Sequence, residues 1–328
     1  MRLVISLLLA AALGLGLSGY VWVTSAMDLN ADSVDLSIEP GSNPRDVVLQ
    51  VEQAGVSVHP GLLYWWFRLS GQARQIKAGS YELERGITPE RLLSKLVRGE
   101  EALRSVTLVE GWTLRQVRDA LRKADQLKPI TADLSPEELM QQVGKPGVPA
   151  EGRFFPDTYT YSKGSTDLAL LQRAARAMDK KLEAAWAQRS AQSPLKSPQE
   201  ALTLASIVEK ETGRSSDRAQ IAAVFSNRLR IGMRLQTDPT VIYGLGPNFD
   251  GNLRKADLLN DTPWNTYTRN GLPPTPIAMP GRGALLAAVQ PAVSNALYFV
   301  ARGDGSSEFS ATLDEHNRAV NKYQRGQQ

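Results

Sequence analysis

The sequence contains no cysteine and only two histidines among its 328 residues. The absence of cysteine excludes thiol catalysis, disulfide bonds and thiolate-bound metals. The histidines, His59 and His316, are far apart in the chain, and we expect both at the surface. There is also no HExxH motif of the kind that binds zinc. We therefore expect chemistry that uses carboxylates, hydroxyls and amides, with no metal and no cofactor.

A strong charge of either sign is also missing. The 38 basic and 34 acidic residues leave a net charge of +4, and no block of basic residues is present. This distribution is not that of a nucleic-acid-binding protein. The 42% hydrophobic and 22% charged residues are typical of a globular protein, and the length allows one large or two ordinary domains.

Charge is completely absent from residues 3–24. This run reaches the roughly 20 residues that a helix needs to cross a bilayer. Arg2 precedes the run, whereas Asp28 and Asp32 follow it, which predicts a single-pass anchor in the cytoplasmic membrane with the N-terminus in the cytoplasm and the rest outside. The alternative is a cleaved signal peptide, because residues 24–26 include small side chains near the end of the run.

A strand–turn–helix pattern recurs three times after the apolar run. Each copy has an apolar–acidic strand end, a glycine, a helix-capping Asn or Thr two residues later, and an amphipathic helix. The glycines and caps are Gly41 with Asn43, Gly86 with Thr88, and Gly111 with Thr113. Because the copies are unevenly spaced, the pattern predicts a reused supersecondary unit and not a solenoid.

Residues 61–69 predict an apolar, aromatic helix between the first two copies, and residues 78–83 predict a strand. The resulting βααβ order over residues 35–85 is similar to a LysM module, a small domain that binds glycans containing N-acetylglucosamine. Trp65 and Trp66 are candidates for a glycan surface, although both also fit the core of such a module.

Aromatic side chains are dense in residues 151–161, beside Glu151 and Asp157. Aromatic faces stack on sugar rings and carboxylates hold sugar hydroxyls, so this segment predicts a saccharide groove, with a packed loop as the alternative. Further on, residues 233–246 predict a strand that turns at Asp238 and continues in a β-branched segment. The proline- and glycine-rich loop at 262–283 is typical of a functional loop.

Residues 197–213 predict a helix with both of its ends marked. Ser197 caps the N-terminus and Glu200 completes a capping box. Gly213 is expected to end the helix in the left-handed conformation.

Glu211 lies on the apolar face of this helix, four residues after Ile207 and three after Val208. A partly desolvated carboxyl favours its protonated form, the form that a general acid needs near neutral pH. Glu209 lies about 200° around the helix from Glu211, so the two acids do not face each other. A solvated surface position is the alternative for both.

Four segments in order resemble the YceG-like family: ASIVEKETG, NRLRIGMRLQTDPTVIYG, NTYTRNGLPPTPIAMPG and LYFVARGDG. The resemblance extends over nearly the whole chain. It implies an α+β fold with a transmembrane anchor at residues 1–27, a LysM-like subdomain at 28–105 and a mixed α+β catalytic domain at 106–328.

The resemblance also implies an endolytic lytic transglycosylase that cuts nascent peptidoglycan strands beside the membrane, with cell-wall synthesis proteins as plausible partners. The family's catalytic glutamate corresponds to Glu211. As the acid, it would protonate the oxygen between N-acetylmuramic acid (MurNAc) and N-acetylglucosamine (GlcNAc). As the base, it would then deprotonate the C6 hydroxyl, which closes on C1 to leave a 1,6-anhydro end.

Five residues have amide, carboxylate or phenol groups suited to holding the sugar and steadying charge. They are Gln236, Asp238, Tyr243, Asn265 and Tyr267. Each of them also fits a structural role. Glu209 is expected to support the site indirectly, through a salt bridge and without touching the substrate.

Three other interpretations remain open at this point. One, a membrane-tethered partner protein of the cell-wall synthesis machinery, is compatible with catalysis. A hydrolytic muramidase would need a second acid facing Glu211, for which Asp238 and Asp217 are the candidates. A non-catalytic, membrane-anchored glycan-binding scaffold would depend on residues 35–85 and not on Glu211.

Overall fold

The computed structural model describes residues 2–326 and has a mixed α+β fold, which confirms the predicted fold class. The chain forms two compact units. The first unit contains residues 2–104 and 160–165, and the second contains residues 105–159 and 166–326.

The first unit consists of a long N-terminal helix followed by short strands and helices. Its elements are α1 (Arg2–Thr24), β1 (Asp28–Leu29), β2 (Ser33–Ile38), α2 (Pro44–Gln53), β3 (Val56–Ser57), α3 (Pro60–Leu69), β4 (Gly79–Glu84) and α4 (Pro89–Arg98). Strands β5 (Leu103–Thr107) and β6 (Thr158–Ser162) pair with each other, and each contains a boundary between the units.

The core of the first unit forms around the antiparallel pair β2 and β4. Val34 lies opposite Leu83, and Leu36 lies opposite Tyr81. Alternate residues of β2 are buried, as the period of two in its sequence predicts. Helices α2, α3 and α4 bury their apolar faces in the same cluster. The elements β2, α2, α3 and β4 therefore follow in the predicted order, with the two-residue strand β3, which pairs with β1, between the helices.

The recurring turn is confirmed in all three copies. Each glycine has the positive φ angle that glycine adopts without strain. Each following Asn or Thr accepts hydrogen bonds from the first turn of its helix, as the caps of α2, α4 and α5 (Leu114–Lys123).

Helix α1 is confirmed as an apolar helix long enough to cross a membrane. Trp22, near its C-terminal end, packs against the core cluster of the first unit. Of the two aromatic residues in α3, Trp66 is partly buried and donates from Nε1 to the carbonyl of Pro89 at 3.2 Å, whereas Trp65 is exposed.

The second unit is mainly helical. After α5 it contains α6 (Pro136–Val143), α7 (Asp167–Trp186), α8 (Pro198–Glu211), α9 (Ser215–Arg230), α10 (Asp238–Leu245), α11 (Lys255–Leu259), α12 (Arg282–Val289), β7 (Tyr298–Ala301), β8 (Ser307–Ser310) and α13 (Leu313–Val320). Helix α8 is its centre, because all residues from Ala201 to Val208 are buried. It packs against α7, α9 and α12 in one apolar cluster.

The two ends of α8 differ in detail from the prediction. Ser197 accepts a hydrogen bond from Glu200 N as expected, but the Glu200 carboxylate accepts from Lys196 N instead of completing the capping box. Gly213 does not adopt the left-handed conformation. The helix ends instead at Thr212, which is extended and accepts a hydrogen bond from Arg214 N that leads the chain into α9.

The predicted strand within residues 233–246 is wrong. Residues 238–245 form helix α10, with Asp238 and Pro239 in its first turn. Proline is compatible with that position because the first amides of a helix need no intrahelical partner. The β-branched residues that suggested a strand are instead buried against the unit, including Thr240 and Val241.

Candidate active site

Glu211 is the last residue of α8 and is half-buried. The hydroxyl of Thr237 donates a hydrogen bond to its Oε1. Burial raises the pKa of Glu211, because desolvation disfavours the charged carboxylate. The Thr237 hydrogen bond lowers this pKa, the nearby negative charge of Asp238 raises it, and the positive charge of Arg228 lowers it. The net direction is upward, which favours a neutral acid.

The segment that carries Thr237 is held in place by hydrogen bonds. Thr237 N donates to the hydroxyl of Thr266 at 3.1 Å, and the Thr266 and Thr240 hydroxyls are bonded to each other at 2.9 Å. Gln236 has a φ angle of 48°, which is uncommon for a residue other than glycine, and its N–H donates to Thr266 O at 3.1 Å. The side chain of Gln236 is exposed beside this anchored backbone.

Asp238 and Tyr267 form a pair next to Glu211. The Tyr267 hydroxyl donates to Asp238 Oδ1 at 2.5 Å. The pKa of Tyr267 is raised by burial first, and then by Asp238 and Glu211. Both side chains therefore interact electrostatically with the candidate acid.

Arg228 is the residue whose positive charge acts on Glu211 and lowers its pKa. It is buried in the second unit, donating from Nε to Leu297 O at 2.7 Å and from Nη1 to Leu235 O at 2.6 Å. These bonds hold the guanidinium in place through backbone carbonyls, and among the described residues no carboxylate forms a salt bridge with it.

Asn265 is completely buried, and its hydrogen bonds go to the backbone. Its Nδ2 donates to Asn260 O at 2.7 Å and to Leu258 O at 3.1 Å, and its Oδ1 accepts from Tyr267 N at 2.8 Å. The amide thus orders the loop that presents Tyr267.

Tyr243 lies in a different environment, on a cleft with a volume of about 1150 Å³. Its hydroxyl donates to Glu151 Oε2 at 3.1 Å, and its ring packs edge-to-face on Trp264. Glu151 is buried and accepts from Leu114 N, the first residue of α5, at 3.0 and 3.1 Å. Burial raises the pKa of Glu151 to about 7, although these hydrogen bonds oppose the shift.

Glu209 lies in an ion pair on another side of α8. Its Oε1 is 3.3 Å from Arg218 Nη2, and its Oε2 accepts from Gly281 N at 2.9 Å. Burial raises its pKa, whereas Gly281 and Arg218 oppose the shift. A Cβ added at position 281 would lie within 2 Å of the Glu110 carboxyl, so a larger residue there would displace the flexible, half-exposed Glu110 side chain.

The structure therefore brings Asp238 and Tyr267 to Glu211 and leaves exposed Gln236 beside Thr237 in the chain. Asn265 bonds to the Tyr267 backbone from a buried position, whereas Tyr243 and Glu209 lie in other environments. The sequence analysis missed Thr237, which contacts Glu211 directly. Its only sequence signal is its place between Gln236 and Asp238. Among the described residues, no three His, Asp or Glu side chains are grouped so that they could hold a metal.

Comparison with known proteins identifies the family of this chain. The sequence model of the YceG-like family matches residues 36–322. The chain belongs to the YceG-like family. The resemblance stated from the sequence is thereby confirmed, and the match includes α8, the segment around Thr237 and the loop at 262–283.

Similar proteins are known for both units of this family member. The endolytic murein transglycosylase of Bacillus subtilis strain 168 is 32% identical over 310 residues, which are 89% of this chain and 85% of that protein. The protein of the same name from Streptococcus pneumoniae strain D39 is 31% identical over 93% of this chain, which spans only 62% of that longer relative. A crystal structure of a YceG-like protein from Listeria monocytogenes is 30% identical with a TM-score of 0.54, covering 88% of this chain and 98% of that one.

Proposed function

We propose that this chain is an endolytic peptidoglycan lytic transglycosylase. It cleaves the MurNAc–GlcNAc bond of nascent glycan strands and leaves 1,6-anhydro-MurNAc ends. The relatives named endolytic murein transglycosylase support the reaction class. The observation that carries the proposal is the raised pKa of Glu211, half-buried at the end of α8 and bonded to Thr237.

In this mechanism one carboxyl acts twice. Neutral Glu211 donates its proton to the glycosidic oxygen, and the C1–O bond breaks as positive charge develops at C1. The Glu211 carboxylate then accepts the proton of the MurNAc C6 hydroxyl, whose oxygen bonds to C1. The acetamido group of MurNAc assists at C1. No water is consumed, and Glu211 ends protonated as it began.

The neighbouring groups suit these steps. Thr237 donates to Oε1 of Glu211, which leaves Oε2 for proton transfer and steadies the carboxylate between the two steps. The negative charge of Asp238 favours the neutral acid and can stabilise positive charge at C1. Gln236 and Tyr267 hold sugar hydroxyls beside it, as does Tyr243 from the adjoining cleft.

Asn265 and Glu209 act indirectly in this proposal. Asn265 fixes the backbone of Tyr267. Glu209 fixes Gly281 and Arg218 against the C-terminal part of α8. Both are positioning residues for the substrate-binding groups.

A hydrolytic muramidase is the second candidate function. Asp238 favours it, because its charge acts on Glu211 and a second carboxylate is what hydrolysis requires. Asp217, the other candidate, instead accepts hydrogen bonds from Ser307 N at 2.9 Å and from the Ser216 hydroxyl at 3.0 Å.

We assign three regions to this activity. Residues 1–27 anchor the enzyme in the cytoplasmic membrane with the N-terminus in the cytoplasm, so that residues 28–328 meet peptidoglycan outside. The LysM-like subdomain at 28–105 binds the glycan strand, and residues 106–328 cleave it. The βααβ order of the first unit and its apolar N-terminal helix support this assignment. Cell-wall synthesis proteins are proposed partners because the substrate is a nascent strand.

The test uses the full chain in detergent micelles, as wild type and Glu211→Gln, on nascent glycan strands, with products identified by mass spectrometry. We expect anhydro-ended fragments from the wild type and none from the variant. Reducing ends would instead establish hydrolysis and direct attention to Asp238. Strand binding without cleavage by the wild type would support a glycan-binding scaffold.

A further inference from the structure

The cleft of the second unit is larger than the proposed acid–base chemistry requires. Its volume of about 1150 Å³ exceeds the range of about 300–1000 Å³ usual for small-molecule sites. It adjoins the candidate acid: Lys210 and Pro239, the sequence neighbours of Glu211 and Asp238, contribute to its lining. A group attached to a sugar held at Glu211 would extend past these two residues to enter the cleft.

The cleft carries positive charge that the second unit does not neutralise. Four cations line it: Arg115, Arg118, Arg122 and Lys210. Arg122 is paired with Asp119 at 2.9 Å, and Arg118 donates to Leu134 O at 2.7 Å. Arg115 and Lys210 are exposed and form no salt bridge with any described residue.

The remaining lining is largely apolar and aromatic. Tyr243, Phe249 and Trp264 contribute rings, and Ile242 contributes an aliphatic side chain. Glu151 lines the cleft as well, but its buried carboxyl is occupied by Leu114 N and the Tyr243 hydroxyl.

Arg118 donates to a carbonyl, which does not neutralise its charge, but it is half-buried. Lys210 also donates to a carbonyl, that of Gly111, at 3.4 Å. The exposed cations of the cleft that no described carboxylate pairs are therefore Arg115 and Lys210, beside apolar surface.

We propose that this cleft binds the acidic stem peptide carried by MurNAc, with Arg115 and Lys210 pairing its carboxylates. The inference rests on the proposed function, because it takes MurNAc strands as the substrate. Carboxylates on a peptide chain match isolated cations set among apolar side chains. The pyrophosphate of a lipid-linked strand is the other anion on such a substrate. A pyrophosphate site needs clustered cations and no carboxylates, whereas this cleft also contains Glu151 and Asp119.

The experiment compares two substrates with the full chain in detergent micelles. One is glycan strands that carry stem peptides, and the other is the same strands after enzymatic removal of the peptides. The measured quantity is kcat/KM for each, from anhydro-end formation. The variants are Arg115→Ala, the charge-retaining Arg115→Lys, and Lys123→Ala, an exposed cation on the same helix outside the cleft.

We expect Arg115→Ala to lower the ratio of kcat/KM on peptide-bearing strands to that on denuded strands about tenfold, which corresponds to about 1.4 kcal/mol. Arg115→Lys should retain most of the ratio, and Lys123→Ala should leave both rates unchanged. Calorimetry with the isolated stem peptide should show weaker binding by Arg115→Ala than by the wild type.

The possible outcomes distinguish a failure of this inference from a failure of the proposed function. A wild type that cleaves neither substrate overturns the proposed function, and the calorimetry still tests the cleft. An unchanged ratio in Arg115→Ala, with unchanged peptide binding, overturns the inference. Both substrates are also prepared with and without a lipid pyrophosphate end. A loss of kcat/KM in Arg115→Ala that depends on that end and not on the peptide also overturns the inference and assigns the cleft to pyrophosphate.

Discussion

Two glutamates near the end of α8 show how different surroundings separate chemically identical residues. Glu209 and Glu211 are two positions apart, and burial raises the pKa of both. Glu209 meets a guanidinium and a backbone N–H, groups that stabilise a carboxylate. Glu211 meets a hydroxyl and the negative charge of Asp238, which disfavours a second carboxylate. From this difference we propose a structural role for Glu209 and a catalytic role for Glu211.

The largest effect should come from removing the acid itself. Glu211→Gln cannot donate or accept the proton, so we expect kcat to fall about 10²–10⁴-fold, the usual contribution of general acid–base catalysis. The measurement is the rate of anhydro-end formation, with circular dichroism to confirm the fold. Glu209→Gln is the matched variant, and its kcat should fall far less. A similar loss in both variants would contradict the separation of roles.

The free energy of unfolding should change in the opposite order, falling more in Glu209→Gln than in Glu211→Gln. Glu209→Gln removes the nearer and more buried of the two negative partners of Arg218, the other being Glu110 at 3.8 Å, while the amide can still accept from Gly281 N. We therefore expect a loss of about 1–3 kcal/mol. The side chains are only 5% and 18% exposed, so solvent screens the pair little. Because about 1 kcal/mol corresponds to roughly 2–4 °C, thermal melting should resolve it.

Glu211→Gln is the control for this loss. Burial raises the pKa of Glu211 and so disfavours its charged form, which a neutral amide avoids; its Tm should therefore stay close to that of the wild type or rise. A lower Tm for Glu211→Gln than for Glu209→Gln would show that Glu211 is the structural acid.

The sequence predicts the local part of this arrangement and not the distant part. The Ser197 cap, the glycine turns and the apolar stripe that reaches Glu211 all depend on residues within a few positions of each other. Thr237 and Asp238 are more than 25 residues from Glu211, so periodicity cannot reveal that they set its pKa. Composition likewise could not separate exposed Gln236 from buried Asn265.

The helix α10 shows the same limit within a short segment. β-branched residues favour a strand, but propensity is weak against burial, and Asp238-Pro239 suits a helix start as well as a turn. The contact between the Thr240 and Thr266 hydroxyls, which are 26 residues apart in sequence, favours the helix over the strand. The fold class was predictable, whereas the geometry around the acid was not.

A third buried carboxyl extends the comparison to stability as a function of pH. Folding raises the pKa of Glu151 from 4.5 to about 7, chiefly by burial. Below the pKa of Glu151 in the unfolded state, its carboxyl is protonated in both the folded and the unfolded chain, so its ionisation costs no stability. As the pH rises toward 7 the unfolded state ionises first, so this group progressively destabilises the fold. The cost scales with about 1.4 kcal/mol per pKa unit and therefore reaches a few kcal/mol.

Glu151→Gln should remove that cost, so its Tm relative to the wild type should rise between pH 5 and pH 8. Glu138→Gln is the control, because hydrogen bonds at the start of α6 lower the pKa of Glu138 and its contribution is already complete above pH 5. Its Tm difference from the wild type should stay constant over this range. Parallel curves for Glu151→Gln and the wild type would show that Glu151 is ionised throughout.

The smallest effect should appear in the pH–rate profile. If the charge of Asp238 helps to keep Glu211 neutral, Asp238→Asn lowers the pKa of Glu211, and the loss of activity on the alkaline side begins at a lower pH. We expect a shift on the order of half a pH unit to one unit, since the charges act across a partly solvated site. Tyr267→Phe removes the phenol but keeps the negative charge, so it should not move the limb to lower pH. If the alkaline side of the pH–rate profile is unchanged in Asp238→Asn, burial alone keeps Glu211 protonated. Asp238 would then act on the sugar and not on the acid.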